Sequence, residues 1–392
     1  MKREELSQLT RAIHGPSEGP RTNRPVAVPI HLTATFESKD VDEQIVLEET
    51  KADTFYSRYG NPTLSVAEAI VADLEGAEAG AVFGSGMAAI TTTLLAHLKA
   101  GDHVVFQREI YGGSYRFARE ILPQYGVTVG WFAATDVASY ERALRDETRV
   151  VYIESPTNPT LKLVDIEKVA RIARSRGVLT FIDSTFATPL NTRPHELGAD
   201  GVLHSATKYL AGHSDVLAGV LTGAREIVDR AKSYLRVLGG NLGAHAGYLL
   251  IRGIKSLGLR VEQHNRNGMA IAEFLGKHPK VRAVHYPFHP AHPQLELARR
   301  QMRAGGGVVS FEIDGGLDEA KRFSNAVCLI RVAPSLGGVE SLLSIPCLTS
   351  HAMLSPDERE RAGIADGLVR LALGTESTED LIADLDHALA QA

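Results

Sequence analysis

Short apolar segments alternate with amphipathic stretches between residues 64 and 245, and this alternation constrains the fold more than any other feature of the sequence. The predicted strands are the apolar segments at 103–107, 127–131, 150–154, 178–183, 201–205 and 216–223. The helical pattern between them is typified by residues 164–177. Continuous apolar strands separated by helices indicate a mainly parallel sheet that is buried on both faces, which is an α/β fold.

The rest of the 392-residue chain predicts two further units. Residues 1–60 carry prolines at positions 16, 20, 25 and 29, and we expect an extended arm that lies across another protein surface. Between these two units, residues 61–245 are predicted to form the large α/β domain. Residues 246–392 begin with a helical pattern at 246–278 and continue with strand-like segments at 281–287, 306–313, 328–333 and 368–374. This order predicts a smaller C-terminal α+β domain.

Composition excludes several classes of partner. A formal net charge of −5 and a pI near 6.3 leave no basic face for nucleic acid or an anionic membrane. No apolar run is long enough to span a bilayer, and residues 1–15 lack the apolar core of a signal peptide, which predicts a cytoplasmic protein.

The cysteines and histidines do not predict a metal site. Cys328 and Cys347 form no C-x-x-C pair, and Cys328 lies in an apolar segment that predicts a buried strand. No H-E-x-x-H spacing occurs among the 15 histidines, and the proline-containing stretch 285–292 is typical of a surface loop.

Lys208 is the most distinctive candidate for catalysis, because it follows the apolar strand at 201–205 among hydroxyl groups and glycines. Two chemistries fit it. Ser205 and Lys208 have the S-x-x-K spacing of serine acyl-enzymes, but "HSD" stands at 213–215 instead of S-D-N, and K-T-G is absent. Alternatively, a partly desolvated Lys208 has a lowered pKa, and its free amine attacks an aldehyde cofactor. The serine acyl-enzyme remains a remote alternative.

Two further features fit the aldehyde cofactor. Asp183 ends the strand at 178–183, and a carboxylate there would keep a pyridine nitrogen protonated. Gly84, Ser85 and Gly86 precede a helical stretch, and small residues at a helix N-terminus expose N–H groups to an anion such as a phosphate.

Eight motifs occur in an order that is similar to one family. They are "YSRYGNPT" (56–63), "GSGMAAI" (84–90), "YGGSYR" (111–116), "ESPTNPT" (154–160), "FIDSTFATP" (181–189), "HSATKYLAGHSD" (204–215), "SLGGVESL" (335–342) and "LVRLALGTESTEDLIADL" (368–385). From about residue 10 to 388 the chain resembles the trans-sulfuration, or Cys/Met-metabolism, family of pyridoxal 5'-phosphate (PLP) enzymes. The resemblance implies the aspartate aminotransferase-like fold of type I, with a mainly parallel seven-stranded sheet. It also implies a homotetramer, built as a dimer of dimers, whose active sites are shared between two subunits.

The resemblance assigns roles around the cofactor, which the large domain at 61–245 would bind. Lys208 would join the PLP aldehyde and later move protons, Asp183 would bind the pyridine nitrogen, and Tyr111 would stack on the ring and assist catalysis. Asn158 would lie near the phenolic oxygen. The phosphate would be held by Ser85, Gly86, Met87, Ser205 and Thr207, and by Tyr56 and Arg58 from a neighbouring subunit.

The substrate side is assigned in the same way. Arg370, with Ser335 nearby, would bind the α-carboxylate of an amino acid, and a bidentate guanidinium suits that task. Arg116 would face a distal carboxylate such as that of cystathionine. Tyr59 occupies a substrate position where some bacterial γ-synthases have a second arginine, which weakens the case for a succinyl group.

Two other positions bear on the choice of reaction. Gly113 stands where methionine γ-lyases have a cysteine, which argues against methionine. Pro334 replaces a glutamate of many γ-lyases and γ-synthases, so the control of β- versus γ-specificity differs. We expect a PLP-dependent enzyme of the cystathionine γ-lyase type. The first alternative is γ-replacement, as in a cystathionine γ-synthase or a homoserine sulfhydrylase. The next alternative is a β-lyase or a methionine γ-lyase.

Overall fold

A computed structural model of the chain describes residues 6–14, 25–352, 355, 357, 359 and 362–392. Prolines 16 and 20 of the predicted arm lie outside these residues. The helices before residue 200 are α1 (Gln8–His14), α2 (Val41–Glu49), α3 (Pro62–Glu75), α4 (Gly86–His97), α5 (Gly112–Arg116), α6 (Val137–Ala143), α7 (Ile166–Ser175) and α8 (Thr188–Asn191). The later helices are α9 (Arg225–Leu238), α10 (Ala244–Lys255), α11 (Leu257–Leu275), α12 (Leu295–Gln301), α13 (Leu317–Ala326) and α14 (Thr378–Gln391).

A seven-stranded sheet forms the centre of the structure, in the order β1-β7-β6-β5-β4-β2-β3. Its strands are β1 (Ala79–Phe83), β2 (His103–Gln107), β3 (Thr128–Phe132), β4 (Thr148–Glu154), β5 (Leu179–Asp183), β6 (Gly201–His204) and β7 (Gly219–Gly223). Only β7 is antiparallel to its neighbours, β1 and β6. This confirms the predicted α/β fold with a mainly parallel sheet, to which β1 adds a strand that the apolar pattern had not indicated.

Both faces of this sheet are buried, because successive residues of a strand point to opposite faces and each face packs against its own apolar cluster. Val150 and Tyr152 of β4 pack with the apolar residues of α4 and α9. Val151 and Ile153 pack on the other face, with α6 and α7. Further along that second face, α3 and α10 pack against Val82 and Val220. Burial on two faces explains why the strands are continuously apolar in sequence.

A second sheet has five strands in the order β10-β11-β12-β9-β8. They are β8 (Val281–His285), β9 (Val308–Ile313), β10 (Arg331–Val332), β11 (Leu342–Ser344) and β12 (Leu368–Ala372). One face packs against α11, α13 and α14. On the other face Ser310, Arg370 and Ser344 lie in register across β9, β12 and β11. The Ser310 hydroxyl donates to the Pro159 carbonyl at 2.7 Å, which joins this sheet to the segment after β4.

Two local predictions differ from the structure. The helical pattern at 246–278 is divided between α10 and α11 at Ser256, whose hydroxyl donates to the Gly253 carbonyl at 3.0 Å. The predicted burial of Cys328 in a strand is wrong, since Cys328 is exposed. The N–H groups of Cys328 and Ile330 instead donate to the Asp384 carboxylate, at 2.7 and 3.0 Å, and this holds the segment out of the sheet.

The N-terminal segment packs unevenly on this framework. Ala12 of α1 is buried against the large core. In contrast, α2 buries none of its residues, and Val41, Ile45 and Val46 are all exposed. Within the described residues, no helix combines the length and the apolar character needed to cross a membrane.

Candidate active site

The carboxyl ends of β4, β5 and β6 enclose a cavity of about 590 Å³ together with the start of α4 and part of the second sheet. This volume is within the usual range for ligand pockets, and ligands bind at this edge of open α/β sheets. The cavity is lined by many of the residues that the sequence singled out: Ser85, Gly86, Met87, Tyr111, Asn158, Asp183, Ser205, Thr207, Lys208, Ser335 and Arg370.

Lys208 lies in the turn that follows β6, and its side chain points into the cavity. Its Nζ lies 2.6 Å from the Ser335 hydroxyl oxygen. Burial, together with the nearby Arg370 guanidinium, lowers the pKa of Lys208 to about 8. About a tenth of the amine is therefore neutral, and so nucleophilic, at pH 7, far more than for an ordinary lysine.

Asp183 is the last residue of β5 and is buried at the floor of the cavity. Its Oδ1 accepts hydrogen bonds from the Thr185 N–H at 3.0 Å and from the Thr185 hydroxyl at 2.5 Å. Burial raises the pKa of Asp183, whereas the two Thr185 hydrogen bonds oppose that rise. A buried acid with one fixed oxygen is suited to pairing with a protonated ring nitrogen.

The N-terminus of α4 forms a corner of the cavity whose donors fit an anion. The Ser85 hydroxyl caps the helix by accepting from the Ala88 N–H at 3.0 Å. A Cβ on Gly86 would lie 2.8 Å from the Ser205 Cβ, so only glycine allows these two segments to approach. The hydroxyls of Ser205 and Thr207 line the cavity beside the helix N-terminus, and this set of donors fits a phosphate.

Arg370 supplies a second cation in the cavity, on β12. Its two terminal nitrogens donate to Asn158 Oδ1 at 2.9 Å and to the Ser335 carbonyl at 3.0 Å. Burial lowers the pKa of Arg370 to about 10, which leaves the guanidinium charged at neutral pH. Its Nε is buried without a hydrogen-bond partner, and such a donor is expected to be satisfied by a ligand.

Tyr111 lies at the entrance of the cavity, immediately before α5, and 47% of it is exposed. Its ring is positioned by its neighbours. A Cβ on Gly113 would lie 2.6 Å from Tyr111 Cε1 and 2.9 Å from Met87 Sδ. Glycine at position 113 is therefore required for the position that the tyrosine ring adopts.

Four predicted residues lie outside the cavity of their own chain. Tyr56, Arg58 and Tyr59 belong to a separate cluster, in which the Arg58 guanidinium lies 4.8 Å from the Tyr59 ring centroid and donates to the Arg236 carbonyl at 2.6 Å. Arg116 is exposed and pairs with Glu120 at 2.8 Å, one helical turn away. The roles expected for these residues in the site stay predictions.

The structure adds residues that the sequence did not assign. Thr185 and Glu154 line the cavity, and both hydrogen-bond to predicted site residues. Glu154 could have been predicted from the sequence, because it ends its strand just as Asp183 ends the neighbouring one. In the sheet the two acids lie side by side at the same edge. Among the described residues no cluster of three or more histidines, cysteines or acids is arranged to hold a metal ion.

The cavity thus combines three groups that match one cofactor. An amine of lowered pKa fits an aldehyde, a buried carboxylate fits a ring nitrogen, and a helix N-terminus with hydroxyls fits a phosphate. PLP carries all three of these functions. Arg370, with its unpartnered Nε, remains for the carboxylate of a substrate.

Comparisons with known proteins agree with this chemistry. Residues 9–390 match the family model described as Cys/Met metabolism PLP-dependent enzyme. The chain is 42% identical to the L-methionine gamma-lyase of Pseudomonas putida, over 97% of this chain and 96% of that protein. It is 45% identical to the chloroplastic cystathionine gamma-synthase 1 of Arabidopsis thaliana, over 93% of this chain and 65% of that protein.

A solved structure agrees as well. The crystal structure of cystathionine gamma-lyase from Lactobacillus plantarum complexed with L-serine matches with a TM-score of 0.93 and 36% sequence identity, covering 98% of this chain and 99% of that chain. Matches of this extent, in sequence and in fold, confirm the predicted family and its dependence on PLP. The chain belongs to the Cys/Met-metabolism family of PLP-dependent enzymes.

Proposed function

We propose that this enzyme cleaves the γ-carbon–sulfur bond of cystathionine-like amino acids, as a PLP-dependent γ-lyase. The relatives carry out different reactions according to their names, so family membership gives trans-sulfuration chemistry, and the choice of reaction depends on this chain's own cavity. Elimination is the leading reaction, and γ-replacement on an O-acyl-homoserine is the alternative.

One observation carries the proposal: Ser335 contacts both the Lys208 amine and the Arg370 guanidinium. An amino acid whose α-carboxylate binds Arg370 would have its α-carbon one bond from that carboxylate, and Ser335 links the Arg370 guanidinium to the Lys208 amine. γ-Elimination requires protons to be removed from the α-carbon and then the β-carbon. A lysine that stands beside the carboxylate-binding arginine can act at both.

The chain's own residues supply the remaining requirements. When PLP is bound, it withdraws electrons from the α-carbon of the substrate. Asp183 would hold a proton at the pyridine nitrogen, and the α4 N-terminus with Ser205 and Thr207 would bind the phosphate. Lys208 would move protons at the α- and β-carbons. The Tyr111 hydroxyl, at the entrance, would assist proton transfer to the sulfur that leaves.

The residue at position 113 supports cystathionine over methionine, because the resemblance predicts a cysteine there in methionine γ-lyases and this chain has glycine. A side chain at this position, such as the cysteine expected in methionine γ-lyases, would meet the Tyr111 ring and Met87. Arg116 pairs with Glu120 in the single chain, so its contact with a distal carboxylate is proposed on the family resemblance alone.

We also propose that the active site is completed in a homotetramer. Tyr56 and Arg58 do not line the cavity of their own chain, and the apolar side chains Val41, Ile45 and Val46 of α2 are exposed just before them in sequence. An exposed apolar helix therefore lies close in sequence to two residues that are expected to bind the phosphate but do not line their own cavity. This supports an arm that packs on a neighbouring subunit. Its Tyr56 and Arg58 would then reach the neighbour's phosphate.

A substrate panel tests the reaction. Purified enzyme with PLP is given cystathionine, methionine, cysteine, or O-acyl-homoserines with cysteine, and the keto acid, thiol and amino-acid products are identified. The expected result with cystathionine is 2-oxobutanoate, ammonia and cysteine, with the Lys208→Ala variant as the inactive control. Pyruvate with homocysteine would show β-cleavage, and efficient formation of cystathionine without keto acid would show replacement. Either result would overturn the proposal.

A further inference from the structure

Glu154 is a buried acid at the edge of the cavity. It ends β4, and it lies opposite Asp183 in the register of the sheet. Burial, followed by the nearby Asp183 charge, raises the pKa of Glu154 well above its ordinary value. Two buried acids placed side by side are unfavourable, so Glu154 must have a compensating function or strong hydrogen bonds.

Each oxygen of Glu154 accepts one backbone N–H, and the two donors come from different loops. Oε2 accepts from the Tyr111 N–H at 2.8 Å, and Oε1 accepts from the Asn158 N–H at 3.1 Å. Tyr111 precedes α5 and makes no side-chain cap there. The Glu154 carboxylate therefore binds the backbone N–H of Tyr111 itself, at the start of α5.

The second loop continues the connection across the cavity. Asn158 Oδ1 accepts from Arg370, and Arg370 in turn donates to the Ser335 carbonyl. The Ser335 hydroxyl contacts the Lys208 amine. A continuous series of hydrogen bonds thus runs from the Tyr111 loop through Glu154 to the carboxylate-binding arginine and the catalytic lysine.

We propose that Glu154 is a positioning residue that fixes the Tyr111 loop and the Asn158–Arg370 pair relative to each other. The proposal rests on the proposed function, because it takes Arg370 as the group that binds the substrate carboxylate. Glu154 itself does not touch the reacting atoms. It sets the separation between the Tyr111 ring, which would stack on the cofactor, and the Arg370 cation, which would orient the amino acid. An error of about 1 Å in such geometry lowers rates about a hundredfold.

The test is Glu154→Gln, which keeps the shape of the side chain. An amide nitrogen cannot accept, so one of the two N–H groups loses its partner. We expect kcat/KM for cystathionine to fall about ten- to a hundredfold, with part of the loss in KM through Arg370. The matched control is Glu109→Gln, whose carboxylate accepts the Ala134 N–H at 3.0 Å but does not line the cavity. That control should keep wild-type kcat and KM.

Two further readouts separate positioning from a general structural role. The visible circular dichroism of bound PLP should change in Glu154→Gln and not in Glu109→Gln, because the ring above the cofactor shifts. A double-mutant cycle with Arg370→Lys is the second readout. In the Arg370→Lys background the effect of Glu154→Gln on KM should be at least threefold smaller, because the Arg370–Asn158 hydrogen bond is already lost. If Glu154→Gln does not fold, Glu154→Asp, which keeps the charge and is too short for both N–H groups, takes its place.

The proposal would be overturned by Glu154 variants with unchanged kinetics and unchanged circular dichroism, or by strictly additive effects with Arg370→Lys. A failure of the proposed function is distinguishable from both of these results. An enzyme that cleaves a substrate other than cystathionine still reports on Glu154 through the circular dichroism and through the cycle measured with that substrate.

Discussion

The Lys208 amine lies 2.6 Å from the hydroxyl of Ser335, and Ser335 maintains this contact with a backbone φ of 106°. Residues other than glycine rarely adopt such a φ, and strain of this kind is stable only where the surroundings enforce it. The Ser335 carbonyl receives the Arg370 guanidinium at 3.0 Å, which supplies part of that constraint. The residue that contacts both cations of the site is therefore a strained one.

Replacement of Ser335 separates the strain from the hydroxyl. Ser335→Ala and Ser335→Gly both remove the Lys208 contact, and each should lower kcat by about tenfold. Only glycine adopts the positive φ without strain, so Ser335→Gly should unfold at a higher temperature than Ser335→Ala, by about 1 kcal/mol in stability. Thermal unfolding of the two variants measures this difference. If Ser335→Gly were no more stable than Ser335→Ala, position 335 would not be strained.

The pH dependence of cofactor uptake follows from Lys208. Its pKa is lowered from the ordinary value of 10.5 to about 8, and only the neutral form of the amine, whose fraction rises with pH, attacks an aldehyde. The rate at which the apo-enzyme takes up PLP should rise with pH, with its midpoint near pH 8. Removal of the nearby cation by Arg370→Met should raise the pKa of Lys208 and move the curve to higher pH. Stopped-flow absorbance measures both curves, and an unchanged midpoint would contradict the assignment.

Gly113 should be intolerant of even one added carbon. In Gly113→Ala the new Cβ would meet Tyr111 Cε1 at 2.6 Å, so the ring must move, and we expect a loss of activity of about a hundredfold. Gly243→Ala is the matched control, because a Cβ there meets nothing within 4 Å. Steady-state kinetics of the two variants should differ sharply. Wild-type activity in Gly113→Ala would mean that the tyrosine position is unimportant.

Mixing experiments test the shared active site. Arg58→Ala and Lys208→Ala should each be inactive or nearly so, while a mixed dimer holds one site with an intact Lys208 and an intact neighbouring Arg58. With random exchange of subunits, half of the dimers are mixed, and activity should recover to about a quarter of the wild-type value. Mass spectrometry shows whether mixed dimers form. If they form and remain inactive, Arg58 does not complete the active site of the neighbouring subunit.

The sequence predicted the central sheet because burial on two faces leaves a strong apolar signal. It located β2 at its observed bounds, 103–107, and placed Asp183 and Lys208 at the ends of neighbouring strands. It missed β1, where Ala79, Gly80 and Ala81 are too small to give that signal. The helix break at Ser256 was missed as well, because the apolar pattern continues through it.

The parts of the site that sequence reasoning could not supply depend on contacts between distant segments. Glu154 is a strand-end acid like Asp183, but its partners Tyr111 and Asn158 are set by how two loops meet. The exposure of Cys328 similarly depends on Asp384, 56 residues away, which binds the backbone there. Local composition cannot report such pairings.

The central claim is that the Lys208 amine is the group that binds PLP, and borohydride reduction of the loaded enzyme tests it most directly. Reduction fixes the cofactor to its lysine, and peptide mass analysis locates the addition. We expect a pyridoxyl group on the peptide that contains Lys208 and on no other, with no addition in Lys208→Ala. A pyridoxyl group on a different residue, or none on Lys208, would contradict it.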